Sequence, residues 1–180
     1  MIANRVHISF FLFQSFSLLM PMSRAPYITR QGYQRLSDEI SHLLRVRRPE
    51  LTRAVSEAAA LGDRSENAEY IYGKKLLRET DRRIRFLQKR LPELQVIERL
   101  PDQPERIFFG AYVNLEDEQG EILEIRIVGS DEFIPEKHWI SIESPLAKAL
   151  LGKQIDDEIN VNLPNNKRAN YVITHILYKI

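Results

Sequence analysis

Apolar side chains recur every three or four positions in the first half of the chain, as they do on one face of an α-helix. Between residues 30 and 61 this face consists of Tyr33, Leu36, Ile40, Leu43, Leu44, Leu51, Val55, Ala58, Ala59 and Leu61. Thr29 can cap the start of the helix, and Gly62 can end it because glycine tolerates a left-handed backbone. Pro49 lacks a backbone N–H, so we expect a bend or local unwinding there.

A second helical pattern, with a period close to seven, runs from about Asp63 to residue 99. Its seam positions are Tyr70, Leu77, Ile84 and Leu91 in one series, and Gly73, Thr80, Leu87 and Leu94 in the other. Such a seam is typical of a coiled coil. Two long helices joined by almost no loop must fold back antiparallel. At 1.5 Å per residue the predicted hairpin is roughly 50 Å long, with its turn at Gly62 exposed at the far end.

After a proline-containing linker at residues 101–106, the apolar period changes to two, which predicts strands. The strand candidates are residues 108–115, 122–128, 139–142, 158–163 and 171–178. One short helix interrupts them, with Ser144 as its cap, Pro145 at its first position and Gly152 at its end. The chain is therefore predicted to be an α+β protein, with an N-terminal coiled-coil hairpin at 22–100 and a small antiparallel β domain at 107–180.

Charge separates the two predicted modules. Residues 22–100 hold 17 Lys and Arg against 11 Asp and Glu, whereas residues 101–180 hold 8 against 14. The first module therefore suits a polyanionic partner, and the second suits a protein partner better than a nucleic acid. The chain has no Cys, which excludes disulfides and thiolate chemistry, and its four His show no metal-ligand spacing.

Residues 1–21 differ in composition from the rest, because an apolar, aromatic run follows Arg5. The run is short and is broken by Ser and Gln, so it suits a membrane span poorly. We interpret this segment as an upstream-start artefact or a disordered tail. An export signal is the alternative, although Pro26 would follow the only cleavage-like site.

Two carboxylates stand at the predicted hairpin turn. Asp63 and Glu66 are three residues apart, so both would lie over the first turn of a helix that begins at Asp63. The same spacing fits a helix-capping box, which is a purely structural interpretation. It also fits half of a Mg²⁺ site, since proteins usually hold Mg²⁺ with one or two carboxylates and leave the remaining positions to water or another molecule.

Basic residues are concentrated on the second helix just beyond this turn. Those predicted to bind nucleic acid are Lys74, Lys75, Arg78, Arg82, Arg83 and Arg85. RNA phosphates would favour such a face, with an affinity that falls as salt rises. A solvated coiled-coil flank is the alternative interpretation.

Several separated motifs resemble bacterial Gre transcript-cleavage factors, and GreB-like members in particular. The matching segments are 29–33, 48–50, 62–70 with Lys74 and Lys75, 108–111 and 140–151, which read TRQGY, RPE, GDRSENAEY, FFGA and ISIESPLAKALL. The resemblance covers residues 26–178. Two departures are the N-terminal segment and Asp156, which stands where relatives often have Gly.

The resemblance implies an FKBP-like C-terminal domain that docks on RNA polymerase and a hairpin that enters the secondary channel of that enzyme. Asp63 and Glu66 would then be the catalytic tip carboxylates, helping to hold a Mg²⁺ shared with the polymerase that hydrolyses the 3′ end of backtracked RNA. The residues expected to support the tip are Gly62, Ser65, Asn67, Glu69 and Tyr70. The protein would be a cytoplasmic monomer with no organic cofactor and no catalytic centre of its own.

Two other functions stay open at this point. A hairpin protein can occupy the polymerase channel without promoting cleavage, but such a blocker has no need for Asp63 and Glu66 together. An isomerase or chaperone with a helical arm is the third possibility, although fold alone does not establish that function.

Overall fold

The computed structural model describes residues 26–61, 66–98, 100–162 and 168–179. In these ranges the helices are α1 (Arg30–His42), α2 (Arg48–Ala60), α3 (Ala68–Arg90) and α4 (Pro145–Leu150), with a π-helical turn at Leu43–Arg47 and 3₁₀ turns at Leu91–Glu93 and Pro135–Lys137. The strands are β1 (Tyr27–Thr29), β2 (Gln95–Ile97), β3 (Tyr112–Asp117), β4 (Ile122–Val128), β5 (Trp139–Ser141), β6 (Glu158–Asn162) and β7 (Arg168–Leu177). No helix in the described ranges is long and apolar enough to span a membrane.

The first long helix forms as predicted. Thr29 is its cap, because its hydroxyl oxygen accepts a hydrogen bond from the backbone N–H of Gly32 at 3.0 Å. The π-helical turn ends just before Pro49, which confirms the local unwinding expected at that residue. The helix ends with Leu61 as its C-cap. Gly62, predicted to end the helix, lies outside the described residues.

The second helix is shorter at both ends than predicted. It begins at Ala68, with Asn67 as its cap, and not near Asp63. The expected capping box at residues 63–66 is therefore wrong for this helix. At the other end, the 3₁₀ turn of Leu91–Glu93 contains Pro92, and the chain then becomes strand β2, which pairs in parallel with β1. This pairing replaces the predicted continuation of the helix to residue 99.

The heptad seam is confirmed. All eight of its positions on and after α3 are buried or half-buried. The helices run antiparallel, as two ion pairs show: Arg48 contacts Asp81 at 2.8 Å, and Glu39, which is earlier in the chain than Arg48, contacts Arg83, which is later than Asp81, at 2.6 Å. Gly73 lets them approach closely, because a Cβ there would lie 2.8 Å from Val55 Cγ2.

The C-terminal domain is a five-stranded sheet in the order β5-β4-β3-β7-β6. The prediction of a wholly antiparallel sheet is wrong, because β5 pairs in parallel with β4. Residues 129–138 carry the chain back along the sheet edge between these two strands. The first predicted strand begins at Tyr112 and not at 108, since Phe108 starts a turn in which Gly110 has φ +87°. Helix α4 forms as predicted, with the Ser144 hydroxyl accepting from Ala147 N. The buried core consists mainly of Ile107, Val113, Leu115, Ile125, Ile127, Leu150, Val161 and Ile173.

The unusual Asp156 occupies a backbone position that favours glycine. Its φ is +69°, in the left-handed region, where Asp is among the few side chains that fit without severe strain. A glycine at this position would carry no such constraint. The predicted module boundaries at 21, 100 and 106 stay predictions, and residues 1–21 lie outside the described residues.

Two adjacent acids connect the hairpin base to the β domain. Glu132 is fully buried, and its carboxylate accepts hydrogen bonds from Thr29 N at 2.8 Å and from the Thr29 hydroxyl. Asp131 accepts from Arg90, with Nη2 to Oδ2 at 2.8 Å. A Cβ on Gly32 would lie 2.0 Å from Glu132 Oε1, so this contact depends on the missing side chain of glycine.

Gly32→Ala should therefore lower the free energy of unfolding by about 1–3 kcal/mol, as overpacked sites do. In a helix without this contact, the same change would stabilise by about 0.5–1 kcal/mol. Urea unfolding measures the difference, with Gln34→Ala on the exposed side of α1 as the control, for which we expect little change. An unchanged or raised stability for Gly32→Ala would contradict the proposed role of the contact.

Candidate functional site

The residues described on either side of the hairpin tip, Leu61 and Glu66, are both exposed. Leu61 is 78% exposed at the end of α2, and Glu66 is exposed in a turn just before the cap of α3. Gly62, Asp63 and Ser65 lie outside the described residues, so their predicted roles have no structural test. Of the two predicted catalytic carboxylates, the structure describes only Glu66, which lies at the extremity of the hairpin.

Asn67 fixes the position of this turn. Its Oδ1 accepts from Tyr70 N at 3.0 Å, which caps α3, and its Nδ2 donates to Ala58 O at 2.9 Å, which satisfies a carbonyl near the end of α2. One amide side chain therefore joins the last turn of one helix to the first turn of the next. Glu66, which precedes Asn67, projects from a backbone that both helices hold.

The other residues predicted to support the tip lie in the first turns of α3. Glu69 is exposed in the first turn, where a negative charge favours the helix N-terminus. Tyr70 is half-buried on the seam, and Lys74 Nζ lies 5.1 Å from the centre of its ring. These positions suit a structural contribution and place Glu69 one turn behind Glu66.

The described residues contain no group of three or more His, Asp or Glu side chains that could hold a metal ion by itself. A Mg²⁺ ligand set can consist of one or two carboxylates together with water and groups of a second macromolecule. An exposed carboxylate such as that of Glu66 is chemically suited to such a set. The metal-binding roles of Asp63 and Glu66 stay predictions.

The basic residues of α3 fall into two groups. At 100° per residue, one face of this helix carries Lys74, Lys75, Arg78, Arg82, Arg85 and Lys89. Five of these are exposed and Lys74 is half-buried. None of them takes part in an ion pair with another described residue. We call this set the basic stripe.

Arg83 lies off the stripe, although it was predicted with it. Its Nε and Nη2 donate to the Glu39 carboxylate at 2.6 and 2.7 Å, so the side chain joins the two helices. This hydrogen bond raises the pKa of the Arg83 guanidinium. Arg90 is similarly engaged: burial opposes its charge, but Asp131 and Glu93 outweigh that effect and raise its pKa.

Sequence reasoning missed several exposed apolar residues beside the tip. Ile71 is 54% exposed and Tyr72 is 61% exposed on α3, close to the exposed Leu61 in the hairpin. The signal was present, because Ile71 and Tyr72 are apolar residues outside both heptad series. Glu132 and Arg126 were also missed, since nothing local in the sequence indicates that either is buried.

Comparison with known proteins agrees with this architecture. The family model "Transcription elongation factor, N-terminal" matches residues 26–96, and "Transcription elongation factor, GreA/GreB, C-term" matches residues 102–178. The chain is 58% identical to transcription elongation factor GreB of Haemophilus ducreyi over 151 residues, 84% of this chain and 93% of that protein. It is 56% identical to GreB of Pseudomonas aeruginosa over 148 residues, 82% and 88% of the two chains. The Gfh1 structure of Thermus thermophilus is 27% identical over 86% of this chain and 99% of its own, and it superposes with a TM-score of 0.39.

Asn67→Ala should lower the free energy of unfolding by about 1–2 kcal/mol, because it removes a helix cap and one of the two donors to the Ala58 carbonyl, which then keeps only the Leu61 N–H. Asn67→Asp is the matched variant, since a carboxylate can still accept from Tyr70 N but cannot donate to Ala58 O. We expect Asp to cost less than Ala in urea unfolding. Equal stability of all three proteins would show that Asn67 does not hold the turn.

Proposed function

The chain belongs to the GreA/GreB family of transcription elongation factors, and from this premise we propose that it stimulates RNA polymerase to cleave the 3′ end of backtracked nascent RNA. The observation that carries the proposal is an exposed carboxylate, Glu66, held at the extremity of a rigid helical hairpin. On this proposal the protein completes the active centre of the polymerase and is not itself a nuclease. It acts as a monomer in the cytoplasm.

The shape of the hairpin supports delivery of the tip into another molecule. Helix α3 has 23 residues and therefore extends about 35 Å. Its base is joined to the β domain through Glu132 and Asp131, so a docked β domain would hold the hairpin in one direction. We propose that the β domain binds the polymerase and that the hairpin enters the secondary channel.

The proposed chemistry belongs to a Mg²⁺ ion shared between the two proteins. Such an ion, when bound, supplies an activated water and stabilises the charge that develops on the phosphate. This chain contributes carboxylate oxygens from Asp63 and Glu66. Asn67 positions Glu66 through its bonds to both helices, and Ser65 is proposed to orient water or RNA. The site is incomplete without its partner, as two carboxylates are for Mg²⁺.

The basic stripe has a separate proposed role, which is to hold the RNA that backtracking extrudes. From Lys74 to Lys89 it rises through 15 residue steps, or about 22 Å along the helix. It begins two turns from Glu66, so extruded RNA that reaches the tip would also meet the stripe. Because its side chains lack carboxylate partners among the described residues, their charge is available to phosphates.

Asp63→Asn and Glu66→Gln should each slow cleavage in a stalled, backtracked elongation complex by at least about tenfold, since losing even an outer-shell partner of a metal site often costs that much. Release of short 3′ RNA fragments in the presence of Mg²⁺ is the measurement. Binding to the polymerase should stay unchanged, because the proposed docking surface is on the β domain.

Glu57→Gln is the matched control, because it removes one exposed carboxylate from α2 about one turn before the helix ends. It should cleave as the wild type does. Cleavage by Asp63→Asn and Glu66→Gln at the wild-type rate would exclude the proposed role of the tip. A wild-type protein that binds polymerase but releases no fragments would instead be a channel-occupying regulator.

The double variant Arg78→Glu with Arg82→Glu should weaken rescue of deeply backtracked complexes more than rescue of shallow ones, because only long extruded RNA reaches the stripe. Its activity should also lose part of its dependence on salt. The control is Arg45→Glu with Arg53→Glu, which makes the same change of net charge on the other arm of the hairpin. Equal loss at both depths would count against a grip on extruded RNA.

A further inference from the structure

A cleft of about 860 Å³ lies between the base of the hairpin and the β domain, away from the tip. From the hairpin side it is lined by Gln31 and Arg35 of α1, and from the β domain by Phe109, Tyr112, Arg126 and Lys179. Its volume is typical of sites for small organic ligands. We call it the interdomain cleft.

Arg126 is the unusual residue of this cleft, because it is a buried cation with no carboxylate partner among the described residues. Its exposure is 6%, and the one hydrogen bond that its guanidinium makes in the described part of the chain is from Nη1 to Gln31 Oε1 at 3.3 Å. Its Nε is buried and has no hydrogen-bond partner there. The guanidinium carbon lies 4.7 Å from the ring centre of Tyr112 and 4.6 Å from that of Trp139.

Arg90 shows how the same protein treats a buried arginine elsewhere. It is 9% exposed, and Asp131 lies 2.8 Å from its Nη2. Aromatic rings compensate a buried positive charge only partly, whereas a paired anion compensates it directly. Within the described ranges, Arg126 therefore lacks the compensating anion that Arg90 has, and its charge is open to an anion from elsewhere.

The remaining side chains of the cleft point to the same kind of ligand. Lys179 Nζ lies 4.6 Å from the ring centre of Tyr112, the ring that the Arg126 guanidinium also contacts, and Lys179 lines the same cleft. Arg35 is exposed on the facing wall. Glu98 is partly compensated by Arg30 at 3.5 Å, which leaves Asp38 as the other acid of the lining. Phe109 adds an apolar aromatic surface.

We propose that the interdomain cleft binds a small phosphate-bearing ligand, with its phosphoryl oxygens against Arg126 and Lys179. A concave site of this volume suits a small molecule better than the surface of a macromolecule. Phe109 would accept a planar ring if the ligand carries one. Because both domains line the cleft, a bound ligand would stabilise the arrangement of hairpin and β domain. This function is separate from that of the tip.

Fluorescence of Trp139, the single tryptophan of the chain, tests the proposal on the full-length protein. Inorganic phosphate, pyrophosphate, a nucleoside triphosphate and the unphosphorylated nucleoside are titrated at constant ionic strength, with calorimetry where the probe absorbs light. We expect saturable binding of phosphate-bearing probes and none of the nucleoside. Stronger binding of the nucleotide than of pyrophosphate assigns a role to Phe109, whereas equal binding identifies the phosphate alone as the ligand.

Arg126→Met separates binding from folding, because methionine keeps the apolar bulk between the two rings and removes the unpaired charge. Its thermal midpoint should equal or exceed that of the wild type, while affinity for the phosphate probes should fall at least tenfold, or by about 1.4 kcal/mol. Lys179→Met should weaken binding less, and Lys148→Met, at an exposed position of α4, should not change it.

Two outcomes would overturn the proposal. One is the absence of saturable binding for every phosphate probe. If Arg126→Met then also weakens association with polymerase, the anion that pairs with Arg126 is a carboxylate of the polymerase and not a small ligand. The other is unchanged probe binding by a folded Arg126→Met variant. Neither outcome depends on RNA cleavage, so each is distinguishable from a failure of the tip.

Discussion

The buried carboxylate of Glu132 is the interaction on which the rest of the structure depends. Removing a carboxylate from water is costly unless donors replace the solvent, and here Thr29 supplies both its backbone N–H and its hydroxyl. The positive end of α1 adds a favourable field. An acid of the β domain thereby helps to cap the first helix of the hairpin, and Gly32 leaves the space that this requires. The direction of the hairpin follows from this contact.

At the other end of the hairpin, hydrogen bonds likewise hold the tip in place. A closely packed seam keeps the two helices together, and Asn67 joins their ends across the turn. Glu66 is thus exposed but not loosely attached. Packing stabilises the seam, and hydrogen bonds to Glu132 and Asp131 stabilise the base, whereas the exposed carboxylate of Glu66 lies at the extremity.

Local and periodic signals predicted much of this fold. The heptad series, the Thr29 cap, the disruption before Pro49 and the Ser144–Pro145 helix start all follow from neighbouring residues. The predicted start of α3 was wrong because Asp63 and Asn67 are both good capping residues. The hydrogen bond from the Tyr70 N–H to Asn67 Oδ1 identifies Asn67 as the cap. The pairing of β2 with β1 and of β5 with β4 was missed because both are non-local. For the same reason the burial of Glu132 and of Arg126 could not be predicted from the sequence, whereas the exposed position of Glu66 at the turn and the exposed face of the basic stripe could.

The central claim is that the hairpin tip contributes ligands to a metal ion in the active centre of RNA polymerase. The most direct measurement is the Mg²⁺ dependence of RNA cleavage in one backtracked complex, with polymerase alone, with the wild-type protein and with Asp63→Asn. The account predicts that the wild-type protein lowers the Mg²⁺ concentration needed for half-maximal cleavage and that the variant does not. A wild-type protein that leaves this concentration unchanged while still accelerating cleavage would contradict it.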